Sequence, residues 1–263
     1  MNEDNKISVV INTYNAEKHL QEVLESLKEF DEIVICDMES TDQTLHIATR
    51  YNCQIVSFPK GNHVSAEPAR TFAIQSATSK WVLVVDADEI VTPQLREYLY
   101  KKISEPNCPA GLYIPRRNYF MHQFMHSFYP DYQLRFFIRK DTVWPPYVHT
   151  FPTVQGAVER MPSYDKNVSF IHLSDESISE ILRKCDLYTE NEVDKKIEKN
   201  YGVGALIYRP LWRFFRSYLL KGGIRDGIRG FIHAVFDGYY QFVMVSKILE
   251  RKQKHTYSDV TKK

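Results

Sequence analysis

Three acids within four residues, Asp86, Asp88 and Glu89, close a run of five apolar residues, Trp81 to Val85, in the stretch KWVLVVDADEIVT. A run of this length predicts a strand buried on both faces. Carboxylates at the end of such a strand lie where open α/β sheets gather their ligands. Alternate residues of an extended chain point the same way, so Asp86 and Asp88 are expected to converge on one hard cation with oxygen ligands. The competing reading is a solvated strand-to-helix turn, with Thr92 as N-cap and Pro93 at the first position of the next helix. Alone, an Asp-x-Asp does not decide between them.

The elements that must position these acids alternate. Ile7 to Ile11 reads as a strand, and Thr13, Tyr14 and Asn15 as a turn. Ala16, Leu20, Val23, Leu24 and Leu27 follow at helical spacing, with Asn15 available as N-cap. The Ile/Val-rich strand Glu32 to Cys36 ends at Asp37, and a second helix follows Ser40, Thr41 and Asp42. A strand over Gln54 to Phe58 and a helix over Ala66 to Ala77 lead into the run that carries the acids. Four strand–helix alternations predict a parallel, doubly wound sheet. Neither GxGxxG nor GxxxxGK[ST] occurs, so a nucleotide held here would depend on carboxylates and a metal rather than a glycine-rich phosphate cradle.

With 263 residues, one large α/β domain with an appendage is expected. Cys36, Cys53, Cys108 and Cys185 lack metal-ligand spacing, and the N-terminus has no signal-peptide pattern, which together predict a reducing cytosolic setting. The net charge of +1 conceals an asymmetry: residues 205–263 hold 12 Lys+Arg against 4 Asp+Glu, leaving 22 against 29 for residues 1–204. An acidic body with a basic tail predicts different partners for the two parts.

The ordered set ISVVINTYNAEKHL, DEIVICDMESTDQT and ARTFAIQSATSKWVLVVDADEI resembles the nucleotide-binding half of family 2 glycosyltransferases. PDYQLRFFIRK, YVHT, FIHLS and the aromatic C-terminal segment extend the resemblance over nearly the whole chain. They point to the bacterial branch that adds sugars to lipopolysaccharide core, the WaaE/KdtX type. The resemblance implies a GT-A fold, that is, an α/β, Rossmann-like, mostly parallel mixed sheet, here with a helical, amphipathic C-terminal extension. Residues 1–200 would form the catalytic domain: 1–108 the nucleotide-sugar half, 109–176 the acceptor half and 177–200 a connecting helix. Residues 201–263 would form a basic aromatic tail at a membrane surface.

The resemblance also implies roles. Thr13, Tyr14 and Asn15 would line the nucleotide pocket, Asp37 would hydrogen-bond the uracil or ribose, and Arg70 would face the base or diphosphate. Asp42 would shape this pocket from a helix N-terminus. Asp86 and Asp88 would hold Mg²⁺ or Mn²⁺ on the donor phosphates, with Asp88 the direct ligand, Asp86 also reaching the ribose, and His172 a late imidazole ligand. Asp131 matches the position of the base that takes the acceptor's proton in an inverting displacement, against a simple role in the turn after Pro130. Glu89 is assigned to stabilising the following helix N-terminus. The chain departs from the family at Met38 and Glu39, where a small residue and Gly or Asn are usual. It departs again at Thr150, where relatives carry an acid after the histidine that matches His149.

Gly111 to Arg117 predicts a strand, and Asn118 to Pro130 an aromatic loop that could be an acceptor platform or could fold over the core. A strand over Asn167 to Ile171 would end at His172. Ser177 with Glu180 forms a capping box opening a helix to about Lys199. In the tail, Arg209, Arg213 and Arg216 share one helix face whose other sides are aromatic and aliphatic, the pattern of a helix lying in a membrane interface. The stretch Phe231 to Leu249 carries His233, Asp237 and Gln241 on one side, which argues against a spanning helix. A dimer interface or a helical lid competes with the membrane here; nucleic acid is disfavoured because the arginines accompany aromatics rather than an open basic patch.

The function expected is transfer of a hexose, glucose by preference, from a UDP-sugar to a glycolipid or oligosaccharide acceptor of the lipopolysaccharide-core type. The setting would be cytoplasmic, peripheral on the inner membrane. Two rivals are a phosphohydrolase of the haloacid dehalogenase type, which wants its Asp-x-Asp on the first strand, and a non-catalytic sugar-nucleotide-binding protein.

Overall fold

The computed structural model describes residues 5–63, 65–147, 150–173, 177–199 and 201–260. In chain order the elements are β1 (Ile7–Thr13), α1 (Glu17–Leu27), β2 (Glu32–Asp37), α2 (Thr44–Arg50), β3 (Gln54–Ser57), α3 (Glu67–Ser76), β4 (Trp81–Asp86), β5 (Glu89–Val91) and α4 (Pro93–Ile103). There follow β6 (Gly111–Arg117), β7 (Tyr119–Phe120), β8 (Gln123–Phe124), β9 (Asp131–Ile138), β10 (Val158–Arg160), β11 (Phe170–His172), α5 (Ile178–Lys196), α6 (Ala205–Phe215) and α7 (Gly227–Val260). Two compact units result: Met1–Asn118 with Pro130–Ser174, and Tyr119–Tyr129 with Asp175–Lys263.

The first unit is a mixed sheet in the order β3-β2-β1-β4-β9-β6-β11-β5, with β10 beside β6. The parallel part predicted from alternation is β3-β2-β1-β4; beyond it β9 runs antiparallel to β4 and to β6. The apolar runs alternate between two cores. Trp81, Leu83 and Val85 of β4 join α1 and α4 on one face, while Val82 and Val84 join Ala69, Ala73 and Ile74 of α3 on the other. That two-sided burial is why β4 shows no polar alternation.

β1 joins β2 on one side and β4 on the other, so the strand order reverses at β1/β4, the crevice where open α/β sheets hold ligands. Register places Asn12 beside Asp86 and Thr13 beside Asp37 at this edge.

Local signals behave unevenly. Thr92 caps α4 by accepting from Leu95 N, and the Ser177–Glu180 capping box opens α5. Asn15 does not cap α1: it sits at φ 50°, its side chain accepts from Thr41 N instead, and Ala16 takes the N-cap position without a side-chain bond. Asp42 serves both neighbouring helices, accepting from Thr44 N (3.0 Å) and from Glu17 N (3.1 Å).

In the second unit, the segment read as a loop holds the β7–β8 hairpin and a single 3-10 turn, His126–Phe128. Asp226, just before α7, accepts from His126 N, Ser127 N and Ser127 Oγ and so ties this segment to the C-terminal helices. Gly230 of α7 meets the Gly223 carbonyl so closely that a Cβ there would overlap it. Among the described residues, no helix is long and apolar enough to cross a membrane.

Candidate active site

A cleft of about 450 Å³ opens at the β1/β4 crevice. Asn12, Thr13, Tyr14 and Asn15 line it from the end of β1, Ala87 and Asp88 from the end of β4, and Met38 and Lys60 from the β2 and β3 side. The expected pocket residues Thr13, Tyr14 and Asn15 are thus brought to Asp88. Tyr14 is half-exposed, with Lys60 Nζ 4.8 Å from its ring centroid. Asp37 lies buried, accepting from Thr13 Oγ1 (2.9 Å) and from Ser40 N (2.8 Å) and Oγ (2.6 Å). Met38 is buried beside it, and Glu39 takes a left-handed φ of 63° with its carboxylate accepting from Lys60 N.

The two aspartates of the motif do not converge. β4 ends at Asp86 and Ala87–Asp88 forms a turn, so the period-two argument stops one residue too early. Asp86 turns inward: Arg70 Nη2 donates to Oδ1 at 2.8 Å and Arg135 Nη2 to Oδ2 at 2.5 Å. Trp144 covers both guanidinium groups, its ring centroid 4.6 Å and 5.2 Å from their Cζ atoms. Asp86, itself part-exposed, is therefore held in an ion cluster by two buried arginines rather than standing as an open metal ligand. Arg70 belongs to that cluster, beneath the cleft rather than in its lining.

Among the described residues Asp88 has only an imidazole at its carboxylate, His172 Nε2 at 3.3 Å from Oδ2, and its side chain is 37% exposed. β11 delivers His172 opposite Glu89 of β5, and Leu173 N donates to the Asp88 carbonyl. From His172 a chain of contacts leads on: Nδ1 lies 2.9 Å from Asn118 Oδ1, and Asn118 Nδ2 donates to Asp131 Oδ2 at 3.0 Å. Arg116, opposite Asp131 across the β6–β9 pair, donates to the same oxygen through Nε (2.9 Å) and Nη2 (2.7 Å). Its Nη1 reaches Glu89 Oε1 at 2.9 Å, and Glu89 Oε2 accepts from Asp86 N. Glu89, fully buried, is thus the link between the two ion clusters and not a helix N-terminal charge. Oδ1 of Asp131 accepts from Gln133 Nε2 (2.9 Å). Three guanidinium groups meet three carboxylates in this network, and Asp88 stands outside the pairing. His149 lies outside the described residues; Thr150 Oγ1 donates to Tyr147 O.

Residues 8–167 match the family described as Glycosyl transferase family 2. The chain belongs to that family. A lipopolysaccharide core biosynthesis glycosyltransferase of Rhizobium meliloti, LpsC, is 27% identical over 93% of this chain and 92% of its own length. An uncharacterised glycosyltransferase of Rickettsia typhi is 23% identical over 95% and 88%. The mannosyltransferase PcManGT of Pyrobaculum calidifontis, solved with GDP-Man and Mn²⁺, has a TM-score of 0.53 over 93% of this chain and 87% of that one at 14% identity, a likeness of fold. This family 2 glycosyltransferase accordingly has the GT-A-like sheet and C-terminal helices expected, and the phosphohydrolase reading falls away.

Burial alone would raise the pKa of Asp86, but Arg135 and Arg70 outweigh it and hold the carboxyl below its ordinary value. Asp131 follows the same pattern: burial raises it, Arg116 and its hydrogen bonds lower it further, and it stays ionised. A carboxyl lowered in the folded state adds stability that is complete above its unfolded pKa of about 3.9 and lost as pH falls through the folded value. Urea-unfolding midpoints should therefore hold between pH 7 and pH 5 as far as these two groups decide it, and fall below about pH 4. Asp131→Asn should flatten part of that fall.

Among the described residues, no group of three His, Cys, Asp or Glu side chains gathers to hold a metal. The fit to Mg²⁺ or Mn²⁺ is consequently a fit of two donors, the part-exposed Asp88 carboxylate and the His172 imidazole. That is enough for cations bound by one or two protein ligands together with substrate phosphates and water. Asn12 was missed by sequence reasoning: its amide nitrogen and oxygen are buried in the cleft lining without hydrogen-bond partners among the described residues. Arg116, Asn118 and Arg135 were missed too, and Glu89 was given a helix-terminal role, because the sequence does not mark the distant partners of these side chains.

Proposed function

We propose that the chain transfers a hexose, glucose by preference, from a UDP-sugar to an acceptor of the lipopolysaccharide-core type, with inversion and with Mg²⁺ or Mn²⁺ bound at Asp88 and His172. The observation that carries this reading is the contrast at the β4 end. Asp86 is neutralised by two arginines, while Asp88 opens into the cleft with no guanidinium or ammonium partner among the described residues. A carboxylate so placed repels a bare diphosphate and suits one that arrives with a divalent cation. When bound, the cation supplies Lewis-acid stabilisation of the departing diphosphate.

The chain's own residues supply the rest. Asn12, Thr13 and Tyr14 hold the nucleoside end, with the unpartnered Asn12 amide as a hydrogen-bonding edge. Lys60 adds positive charge at the rim. Asp131 takes the proton from the attacking hydroxyl: Arg116 and Asn118 fix its Oδ2, and Oδ1, bonded only to Gln133 among the described residues, keeps a lone pair for that proton. Asn118 links this base to His172, so the metal ligand and the base are positioned by one side chain. LpsC, named for lipopolysaccharide core biosynthesis and matched over nearly its full length, supports the acceptor class.

A donor screen tests the proposal. Purified protein is incubated with UDP-glucose, UDP-galactose, UDP-N-acetylglucosamine or GDP-mannose, with Mn²⁺, Mg²⁺ or EDTA. Slow metal-dependent release of UDP from one UDP-hexose supports it. Release of GDP from GDP-mannose alone would replace the donor. Tight donor binding with no turnover, even with a core-oligosaccharide acceptor, would favour a sugar-nucleotide-binding protein.

A further inference from the structure

The C-terminal helices carry an arrangement that the transfer reaction does not use. On α6, Ile207, Tyr208, Leu211, Trp212 and Phe215 recur at helical spacing and are all exposed, Trp212 to 61%. Along α7, Ile228, Phe231, Val235, Tyr239 and Phe242 recur at intervals of three and four and are exposed as well. The two helices pack where Gly238 brings α7 against the Pro210 carbonyl, and Phe231 of the exposed row also meets Phe214 edge-on. Apart from Phe231, the exposed rows are additional to these packing contacts.

Beside these rows lies a cleft of about 250 Å³ lined by Tyr208, Arg209, Trp212, Arg213, Arg216 and Gln241. Its arginines are oriented but incompletely neutralised. Arg209 donates to Gln241 Oε1 at 2.9 Å and packs on the Tyr201 ring, and its Nε is buried without a partner among the described residues. Arg213 Nε is 3.7 Å from Asp237 Oδ1. Arg216 is exposed, with no carboxylate partner among the described residues. Residues 205–229 hold six Lys+Arg and a single acid, Asp226, whose oxygens are committed to His126 and Ser127.

We propose that this surface docks in the plane of a lipid bilayer, the arginine cleft receiving anionic phosphate headgroups while the flanking apolar rows enter the acyl boundary. Charge complementarity selects this occupant. Anionic headgroups meet the basic cleft and acyl chains meet the rows, as for amphipathic helices that lie on membranes. A second copy would bring the same arginines against each other across a two-fold axis without acids to match them. No described helix can span, so the contact is in-plane.

The protein carries its own reporter. Trp81 and Trp144 are buried and Trp212 is exposed, so a change in tryptophan emission on adding vesicles reads the α6 face. The full chain is mixed with phosphatidylcholine vesicles with or without phosphatidylglycerol and followed by emission and co-sedimentation. The expected result is a blue shift and pelleting with phosphatidylglycerol vesicles, weakened by added salt, and no shift with neutral vesicles or inorganic phosphate alone. Replacing Arg209, Arg213 and Arg216 together by Ala should lower partitioning on the order of 100-fold. Leu211→Asp with Ile228→Asp, both at exposed positions, should abolish pelleting. Salt dependence in the wild type gives a reading that needs no variant, and variants are compared only where their thermal melts match it. Equal binding to neutral and anionic vesicles, no binding to either, or a dimer by light scattering that hides Trp212 would overturn the proposal. Neither donor nor acceptor enters the assay, so its failure would leave the transferase reading untouched.

Discussion

Asp86→Ala is expected to destabilise the first unit by about 3–5 kcal/mol, while Asp88→Ala, two residues on, leaves stability nearly unchanged. The physical difference is what each carboxylate leaves behind. Removing Asp86 strands the Arg70 and Arg135 guanidinium groups, both buried beneath Trp144, without the charge that balances them. Against a total stability of about 5–15 kcal/mol that loss is a large fraction. Asp88 is part-exposed and pairs, among the described residues, with an imidazole alone, so its removal strands no described guanidinium. Urea unfolding of the two variants beside the wild type reads the contrast directly; equal losses would mean that the inward turn of Asp86 is not what organises the strand end.

Asp131→Asn is expected to lower turnover by about 10²–10⁴-fold with little change in donor binding, because an amide keeps the shape of the carboxylate and cannot take a proton. The fold should tolerate it better than Asp86→Ala, since Arg116 retains Glu89 as a partner. Arg116 and Asn118 hold the base at a depressed pKa, so its ionised form persists into mildly acidic solution. Steady-state kinetics with the donor identified by the screen separates the outcomes. A loss carried by KM alone would place Asp131 in substrate binding and move the proton transfer elsewhere.

Sequence reasoning reached those features that rest on local or periodic information. The two-faced burial of β4, the Thr92 cap and the Ser177–Glu180 box depend on residues within a few positions of one another. So do the polar strand ends at Thr13 and Asp37, and the helical character of the tail follows from its spacing. The motif geometry was not legible in the same way. Whether Asp88 shares a direction with Asp86 depends on where the strand stops, and it stops at Asp86. Glu89 was assigned to a helix terminus because its partner Arg116 lies 27 residues away on a strand whose neighbours only the sheet order reveals. Arg135 sat unnoticed in an apolar strand, although a cation inside such a run is itself a signal that a buried acid awaits it. Asn15 followed its own left-handed backbone and Thr41 instead of capping α1.

The central claim is that donor turnover in this cleft runs through a divalent metal at Asp88. Its most direct measurement is UDP release from the preferred UDP-hexose by the wild type and by Asp88→Ala in the same assay, each with Mn²⁺, Mg²⁺ and EDTA, with thermal melts recorded alongside. The account predicts metal-dependent release by the wild type, abolished by EDTA, and no metal-dependent release by a variant that melts like the wild type. A folded Asp88→Ala protein that still releases UDP at the wild-type rate under Mn²⁺ would contradict it.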